Sequence, residues 1–301
     1  MPNYAKLLIT GGSGFLGWHL AQSAAQYYDV SFTYGQHPFS IEGCQEYRLN
    51  LQNLREIEEL LEEVEPEVII HAAALTDVDL CEKRRSIAHE INVAATRQLA
   101  ECAAEFDCRF VYISTDLIFN GETGNYTETS KPTPINYYGE TKLLGEKAVM
   151  EMAPNYLIVR LALMYGIGNG VHGGFTEWLR NGLAHEKTVT LYSDQYRTPL
   201  FVNDGVRALL EMIEQPVKNE IFHLAGSERL SRYDFGKKFA QTFGYSEQWL
   251  KPAKMRELSP TARRGSDCSL NSKKIQNILT FQLSDVTGGL QKMKKMARNS
   301  K

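Results

Sequence analysis

Three regularly spaced glycines, Gly11, Gly14 and Gly17, follow the short apolar run Leu7-Leu8-Ile9 and precede an amphipathic segment that begins at Phe15. The pattern reads as a strand, a tight turn and a helix. Glycine at such a turn can take positive φ, or let the backbone come close to a ligand. A helix that starts there turns its free N–H groups and its positive dipole end toward whatever occupies the turn. A diphosphate is the natural guest. The spacing is wider than that of the G-x-G-x-x-G dinucleotide fingerprint. Gly-rich turns also occur with no ligand, but a turn placed directly after the first strand favours a cofactor seat.

The 301 residues suffice for one large domain or two ordinary ones. A net charge of −3 gives no footing for a nucleic-acid partner or an acidic membrane surface. The apolar runs are too short to span a bilayer. No basic segment followed by a long apolar stretch opens the chain, so no signal peptide is expected. Cys44, Cys81, Cys102, Cys108 and Cys268 are scattered, without C-x-x-C or His-paired spacing. They read as free thiols in a reducing cytoplasm, and no metal site is expected.

The rest of the N-terminal half alternates strand and helix patterns. Helices are expected over Phe15–Tyr27, Leu54–Val64 and Ser86–Glu105. Strands are expected at Val30–Tyr34, at a third run that Tyr47–Leu51 ends, at Val68–His71 running into a small-residue turn at Ala72–Ala74, at Phe110–Ile113 and at Leu157–Arg160. Such alternation predicts an α/β fold, a Rossmann-type doubly wound parallel sheet with right-handed crossovers. Beyond Tyr165 the rhythm loosens. The expected division is a dinucleotide-binding domain over 1–165, which takes back segments from about 190–227, and a smaller mixed substrate-binding domain over 166–301. The basic stretch Lys292–Lys301 reads as a frayed tail.

Several positions bear on chemistry. No Asp or Glu stands between Ser31 and Ile41, where an acidic side chain would hold the ribose 2′-OH of NAD. This favours NADP(H) over NAD(H), although only His37 is there to meet a 2′-phosphate. Ala72, Ala73 and Ala74 would let a cofactor pass close to the sheet edge. His71 reads as a packed, hydrogen-bonded histidine, and Asn92 either bridges backbone groups near the site or faces solvent. Tyr138 and Lys142 fall on one face of a helix start. An ammonium beside the phenol is expected to lower the tyrosine pKa and make it a usable proton donor. Thr115, at the end of the preceding strand, can hydrogen-bond the same substrate oxygen. The pair supplies the proton side of carbonyl–alcohol redox chemistry, and a nicotinamide the hydride side.

Taken together, Thr10–Gly17, His71–Ala74, Ser114–Asp116, Tyr138-x-x-x-Lys142 and Arg160 with Tyr165-Gly166 resemble the extended short-chain dehydrogenase/reductases. Leu75–Glu82, Ile113–Gly121, Pro132–Glu146 and Ser269–Ser272 are similar to segments of the dTDP-4-dehydrorhamnose reductase branch. The resemblance covers essentially the whole chain. It implies an NAD(P)H-dependent reductase of a 4-keto nucleotide sugar, with Tyr138 as proton donor, Lys142 tuning it and binding the nicotinamide ribose, and Thr115 orienting the carbonyl. It implies that Gly11, Gly14 and Gly17 shape the pyrophosphate turn, with N–H groups from Phe15 and Leu16. Asn50 and Leu51 would flank the adenine, Ala72–Ala74 the ribose and phosphates. Thr76 and Arg197 would face the nucleotide sugar, a cationic Arg197 suiting its diphosphate, unless Arg197 merely forms a surface ion pair. A homodimer is admitted.

The chain departs from that branch where Leu-Ala-Leu-Met follows Arg160 instead of a segment containing tryptophan, which leaves the hexose open. Leu117 stands where 4,6-dehydratases carry a catalytic Glu, which argues against dehydration. Two other readings remain: a nucleotide-sugar epimerase with tightly held cofactor, and a non-catalytic dinucleotide-binding regulatory subunit.

Overall fold

The computed structural model describes residues 5–36, 38–170, 174–258 and 261–299. His37, the one basic residue expected near an adenosine ribose, lies outside them. In chain order the first half comprises β1 (Lys6–Thr10), α1 (Phe15–Ala24), β2 (Asp29–Tyr34), β3 (Cys44–Arg48), α2 (Leu54–Val64), β4 (Val68–His71), α3 (Val78–Lys83), α4 (Arg85–His89), α5 (Ala95–Glu105), β5 (Arg109–Thr115), α6 (Tyr137–Met152) and β6 (Tyr156–Leu161). The second half comprises β7 (Met164–Tyr165), α7 (Gly174–Ala184), β8 (Val189–Tyr192), β9 (Tyr196–Arg197), β10 (Leu200–Phe201), α8 (Val202–Ile213), β11 (Glu220–Leu224), β12 (Leu230–Ser231), α9 (Arg232–Phe243), β13 (Leu250–Ala253), α10 (Lys273–Gln276) and α11 (Val286–Asn299).

Seven strands pair in parallel in the order β11-β6-β5-β4-β1-β2-β3. Strand residues alternate between two cores. Leu7, Ile9, Val111 and Val159 pack on one face, and Leu8, Phe110, Tyr112 and Ile158 on the other. A sheet buried on both faces needs apolar residues at nearly every position, which is why these strands read as continuous apolar runs. In α2 the buried Ile57, Leu60, Leu61 and Val64 recur at helical spacing, and Glu65 closes the helix in the left-handed region at φ 47°. The strand order reverses between β1 and β4, and ligands bind beyond the carboxyl ends of strands at such a point. Those ends are Thr10 and His71, joined further along by Thr115.

A third core gathers Tyr165, Leu179, Leu191, Phe201, Phe235 and Leu290 from the later elements, around three two-stranded pairings, β7–β10, β8–β13 and β9–β12. No helix among the described residues is long and apolar enough to cross a membrane.

Several boundaries differ from expectation. The chain from Lys292 is no frayed tail: α11 continues to Asn299, because Leu290 and Met293 recur on its buried face and Lys292 pairs with Asp204 at 3.0 Å. The third strand ends at Arg48, leaving Asn50 and Leu51 in the turn beyond it, and α1 stops at Ala24. The fourth strand, by contrast, ends at His71 as expected, with Ala72–Ala74 following in irregular backbone. The long helix expected over Ser86–Glu105 is interrupted by a π turn at Glu90–Ala94.

Candidate active site

One cavity of about 1310 Å³ opens at the carboxyl ends of the strands. Every residue to which the resemblance gives a catalytic, cofactor or substrate role lines it: Gly11, Gly14, Phe15, Leu16, Gly17, Asn50, Leu51, Ala72, Ala73, Ala74, Thr76, Thr115, Tyr138, Lys142 and Arg197; His71 and Asn92 do not.

The Gly-rich turn is built for close packing. Gly11 has φ +74°, and a Cβ there would lie 2.8 Å from Ala73 Cα; a Cβ on Gly17 would lie 2.2 Å from Gly11 O. Gly14 is the N-cap of α1 and has no side chain to cap it, nor does the first turn hold an acidic residue. The helix therefore presents unsatisfied N–H groups and its positive end at the cavity, the arrangement that accepts a phosphate. The residues present thus fit a dinucleotide. Thr33, Tyr34, Gly35 and Gln36 line the neighbouring wall and include no carboxylate.

A chain of hydrogen bonds ties this turn to the helix layer. Ala73 N donates to Thr10 Oγ1 at 3.2 Å, and Thr10 Oγ1 meets His71 Nδ1 at 2.7 Å. His71 Nε2 meets Thr96 Oγ1 at 3.0 Å, and Thr96 donates to Asn92 O at 2.9 Å. With the Thr96 proton so committed, His71 donates from Nε2 and accepts at Nδ1. Burial first, and the Lys142 charge second, push this imidazole down to about 3, so it stays neutral. His71 is a packed positioning group.

Asn92 bridges. Its Oδ1 accepts from Leu75 N at 2.8 Å, and its Nδ2 donates to Leu75 O at 3.1 Å and to Thr141 Oγ1 at 3.0 Å. The π turn places this amide where a regular helix would not; π bulges recur at functional sites.

Tyr138, Lys142 and Glu146 share the buried face of α6, whose N-cap Asn136 accepts from Gly139 N at 2.9 Å. Glu146 is held by both guanidinium arms of Arg160, at 2.9 and 2.7 Å, and by Ser114 Oγ at 2.5 Å. Burial pushes Lys142 down to about 7, against the opposing pull of Glu146. Tyr138 departs from expectation. Burial raises its phenol, with a hydrogen bond to Thr115 as the opposing influence, while the Lys142 ammonium sits over the Tyr112 ring instead. The phenol is therefore a protonated donor.

Asp116 is buried beside Thr115, and burial raises its carboxyl in spite of Arg197 and Arg232. Arg197 is not on the surface. It is 3% exposed, with Nε 3.3 Å from Asp116 Oδ2. Arg232 and Arg264 also line the cavity and carry no signal in the sequence, since they are single cations far from any motif. Leu117 and Leu161–Met164 add an apolar wall.

A family model described as RmlD substrate binding domain matches residues 5–299. The chain is 32% identical over 265 residues to a probable low-salt glycan biosynthesis reductase of Haloferax volcanii, across 86% of this chain and 88% of that relative. It is 29% identical over 279 residues to methionine adenosyltransferase 2 subunit beta of Xenopus laevis, across 88% of this chain and 80% of the relative. Its fold matches, with a TM-score of 0.84, the dTDP-4-dehydrorhamnose reductase of Bacillus anthracis solved in complex with NADP. That structure shares 25% identity, over 97% of this chain and 99% of its own. The chain belongs to the RmlD substrate binding domain family, within the extended short-chain dehydrogenase/reductases.

Proposed function

We propose that the protein is an NADPH-dependent reductase of a 4-keto nucleotide sugar. The observation that carries this is one cavity holding Tyr138, Lys142 and Thr115 together with the uncapped N-terminus of α1. A nicotinamide dinucleotide, seated by Gly11–Gly17 and the Ala72–Ala74 edge, supplies hydride when bound. Thr115 and Tyr138 converge on the substrate carbonyl oxygen, and Tyr138 gives it a proton. Lys142 supports the developing phenolate by its charge. Thr76 and Arg197 contribute to the sugar-side wall. Preference for the phosphorylated dinucleotide is supported by the absence of a carboxylate among Tyr34, Gly35 and Gln36. The five free cysteines agree with a cytoplasmic setting. The division into a dinucleotide domain over 1–165 and a substrate domain over 166–301 is part of the same reading.

The Xenopus laevis relative supports a second reading, a dinucleotide-binding subunit of another enzyme. One experiment separates them. NADPH oxidation is followed with dTDP-4-keto-6-deoxy sugars in wild type and Tyr138→Phe. The expected loss in kcat is about 10²–10⁴-fold with NADPH affinity unchanged. A wild-type rate in Tyr138→Phe overturns the mechanism. NADPH binding without turnover of any keto nucleotide sugar moves the protein to the second reading.

A further inference from the structure

We infer that Arg232, rather than Arg197, is the residue that holds the diphosphate of the substrate, an assignment that rests on the nucleotide-sugar reading above. Three arginines line the cavity, and two are already committed. Arg197 pairs with Asp116, and its Nη1 donates to the carbonyl oxygens of Tyr196 at 2.6 Å and Gly265 at 3.3 Å. Arg264 grips Asp79 with both Nη atoms, at 2.9 and 3.4 Å, and donates to Ala262 O at 2.8 Å.

Arg232 differs. It forms no ion pair among the described residues. Its Nε donates to the neutral Gln195 Oε1 at 3.2 Å, and its guanidinium lies 4.8 Å from the centroid of the Phe175 ring. These contacts fix the guanidinium without neutralising it, and they leave both Nη groups available. The backbone is fixed as well. Arg232 N donates to Gln195 O at 3.1 Å, immediately after β12 pairs antiparallel with β9, Leu230 opposite Arg197. The cation therefore stands beside two arginines whose charges are already matched by Asp116 and Asp79.

Such a group is electrostatically unsatisfied. Burial and the neighbouring Arg197 push it down to about 9, an unusual state for a guanidinium. A partner with more than one negative charge and paired oxygens relieves this best, because the guanidinium fork matches phosphate oxygens bidentately. A nucleoside diphosphate moiety has that chemistry. The neighbouring Phe175 ring, itself 5.9 Å from Trp178 on the cavity wall, gives the same region an aromatic surface.

The test is calorimetric titration of NADPH-loaded full-length protein with dTDP and UDP, with thymidine and uridine as uncharged controls. The expectation is that Arg232→Gln weakens the tighter diphosphate at least tenfold, reduces the salt dependence of its binding, and leaves NADPH affinity within twofold. Arg232→Lys keeps the charge and loses the fork, and is expected to fold and to bind with intermediate affinity. Wild-type affinity in both variants, or in Arg232→Lys alone should Arg232→Gln not fold, overturns the assignment and leaves the nucleotide-sugar reading standing. Failure of the wild type to bind either diphosphate overturns that reading, and this inference with it.

Discussion

The ammonium of Lys142 lies 4.0 Å from the centroid of the Tyr112 ring. A ring face attracts a cation but does not neutralise it. Lys142 is 2% exposed, and its nearest opposite charge, Glu146, is shared with Arg160. A buried lysine so placed costs stability, and the reductase reading proposed above gives it a chemical use.

The sign of that cost follows from its pKa of about 7 in the fold, against about 10.4 in the unfolded chain. Between those values the unfolded state binds the extra proton, so stability rises with pH through this window and the cost is fully present below it. Lys142→Met is expected to raise the Tm at pH 7 and to lower kcat by about 10²–10⁴-fold. Melts at pH 7 and pH 9 check this: the gap between the two proteins should narrow at pH 9. A gap independent of pH contradicts it.

The glycines of the turn are expected to separate folding from cofactor binding. An alanine Cβ at Gly17 would lie 2.2 Å from the backbone oxygen of Gly11, whereas at Gly14 the nearest atom is the same oxygen at 3.1 Å. Gly17→Ala should therefore lower the Tm sharply or prevent folding. Gly14→Ala should cost only about 1 kcal/mol, as alanine is a poor N-cap, yet weaken NADPH binding by placing a methyl at the phosphate seat. Thermal melts and NADPH titration of both variants decide.

Asn92 gives a third prediction. Asn92→Leu keeps the branched shape but strands the Leu75 N–H, at about 1–3 kcal/mol if left unpaired, and leaves Leu75 O with only the weak Cys81 Sγ donor at 3.4 Å. The loop from Ala72 should loosen, so urea unfolding is expected to show the stability loss and NADPH titration a weaker Kd. Unchanged affinity with reduced stability would make Asn92 purely structural.

What was legible in the sequence follows a physical pattern. Strands buried on both faces and helices with one apolar stripe carry their own signature, so the sheet and α2 could be read directly. The Gly-rich turn and the Tyr138–Lys142 pair could be read because their geometry is local. α3 could not: six residues carry too little periodicity to register. The last helix was hidden by its lysines, although Leu290 and Met293 hold its spacing. Arg197 stood out, but its burial against Asp116 depends on residues 81 positions apart meeting in space. Arg232 and Arg264 were invisible for the same reason, since only the pairing of β12 with β9 and the Asp79 contact bring them to the cavity. The Tyr138 shift runs opposite to the sequence expectation because spacing along a helix does not say how dry its face is.

Of the buried histidines His19, His71 and His223, the last two make acid stability the most quantitative prediction. His71 and His223 are both pushed down to about 3, each chiefly by burial; the charges of Lys142 and Arg160 act in the same direction. Both imidazoles work as neutral links: His223 Nδ1 donates to Tyr126 O at 2.9 Å while its Nε2 faces Arg160 Nη1 at 3.3 Å. In the unfolded chain they titrate near 6.5. From there down to about 3 the unfolded state carries the extra protons, so stability falls as pH falls, by up to about 1.4 kcal/mol per pH unit for each histidine. Most carboxylates stay ionised between pH 6 and 5, so the histidines should dominate there. Urea unfolding is expected to lose about 2.4 kcal/mol over that unit for the pair, with His19, which burial also pushes down, adding to the same slope, and His71→Gln should remove about 1.2 kcal/mol of it even if it is less stable throughout. A flat profile between pH 6 and 5 would mean that both imidazoles keep their protons in the folded protein, and His71 Nδ1 would then donate to Thr10 Oγ1 instead of accepting from it.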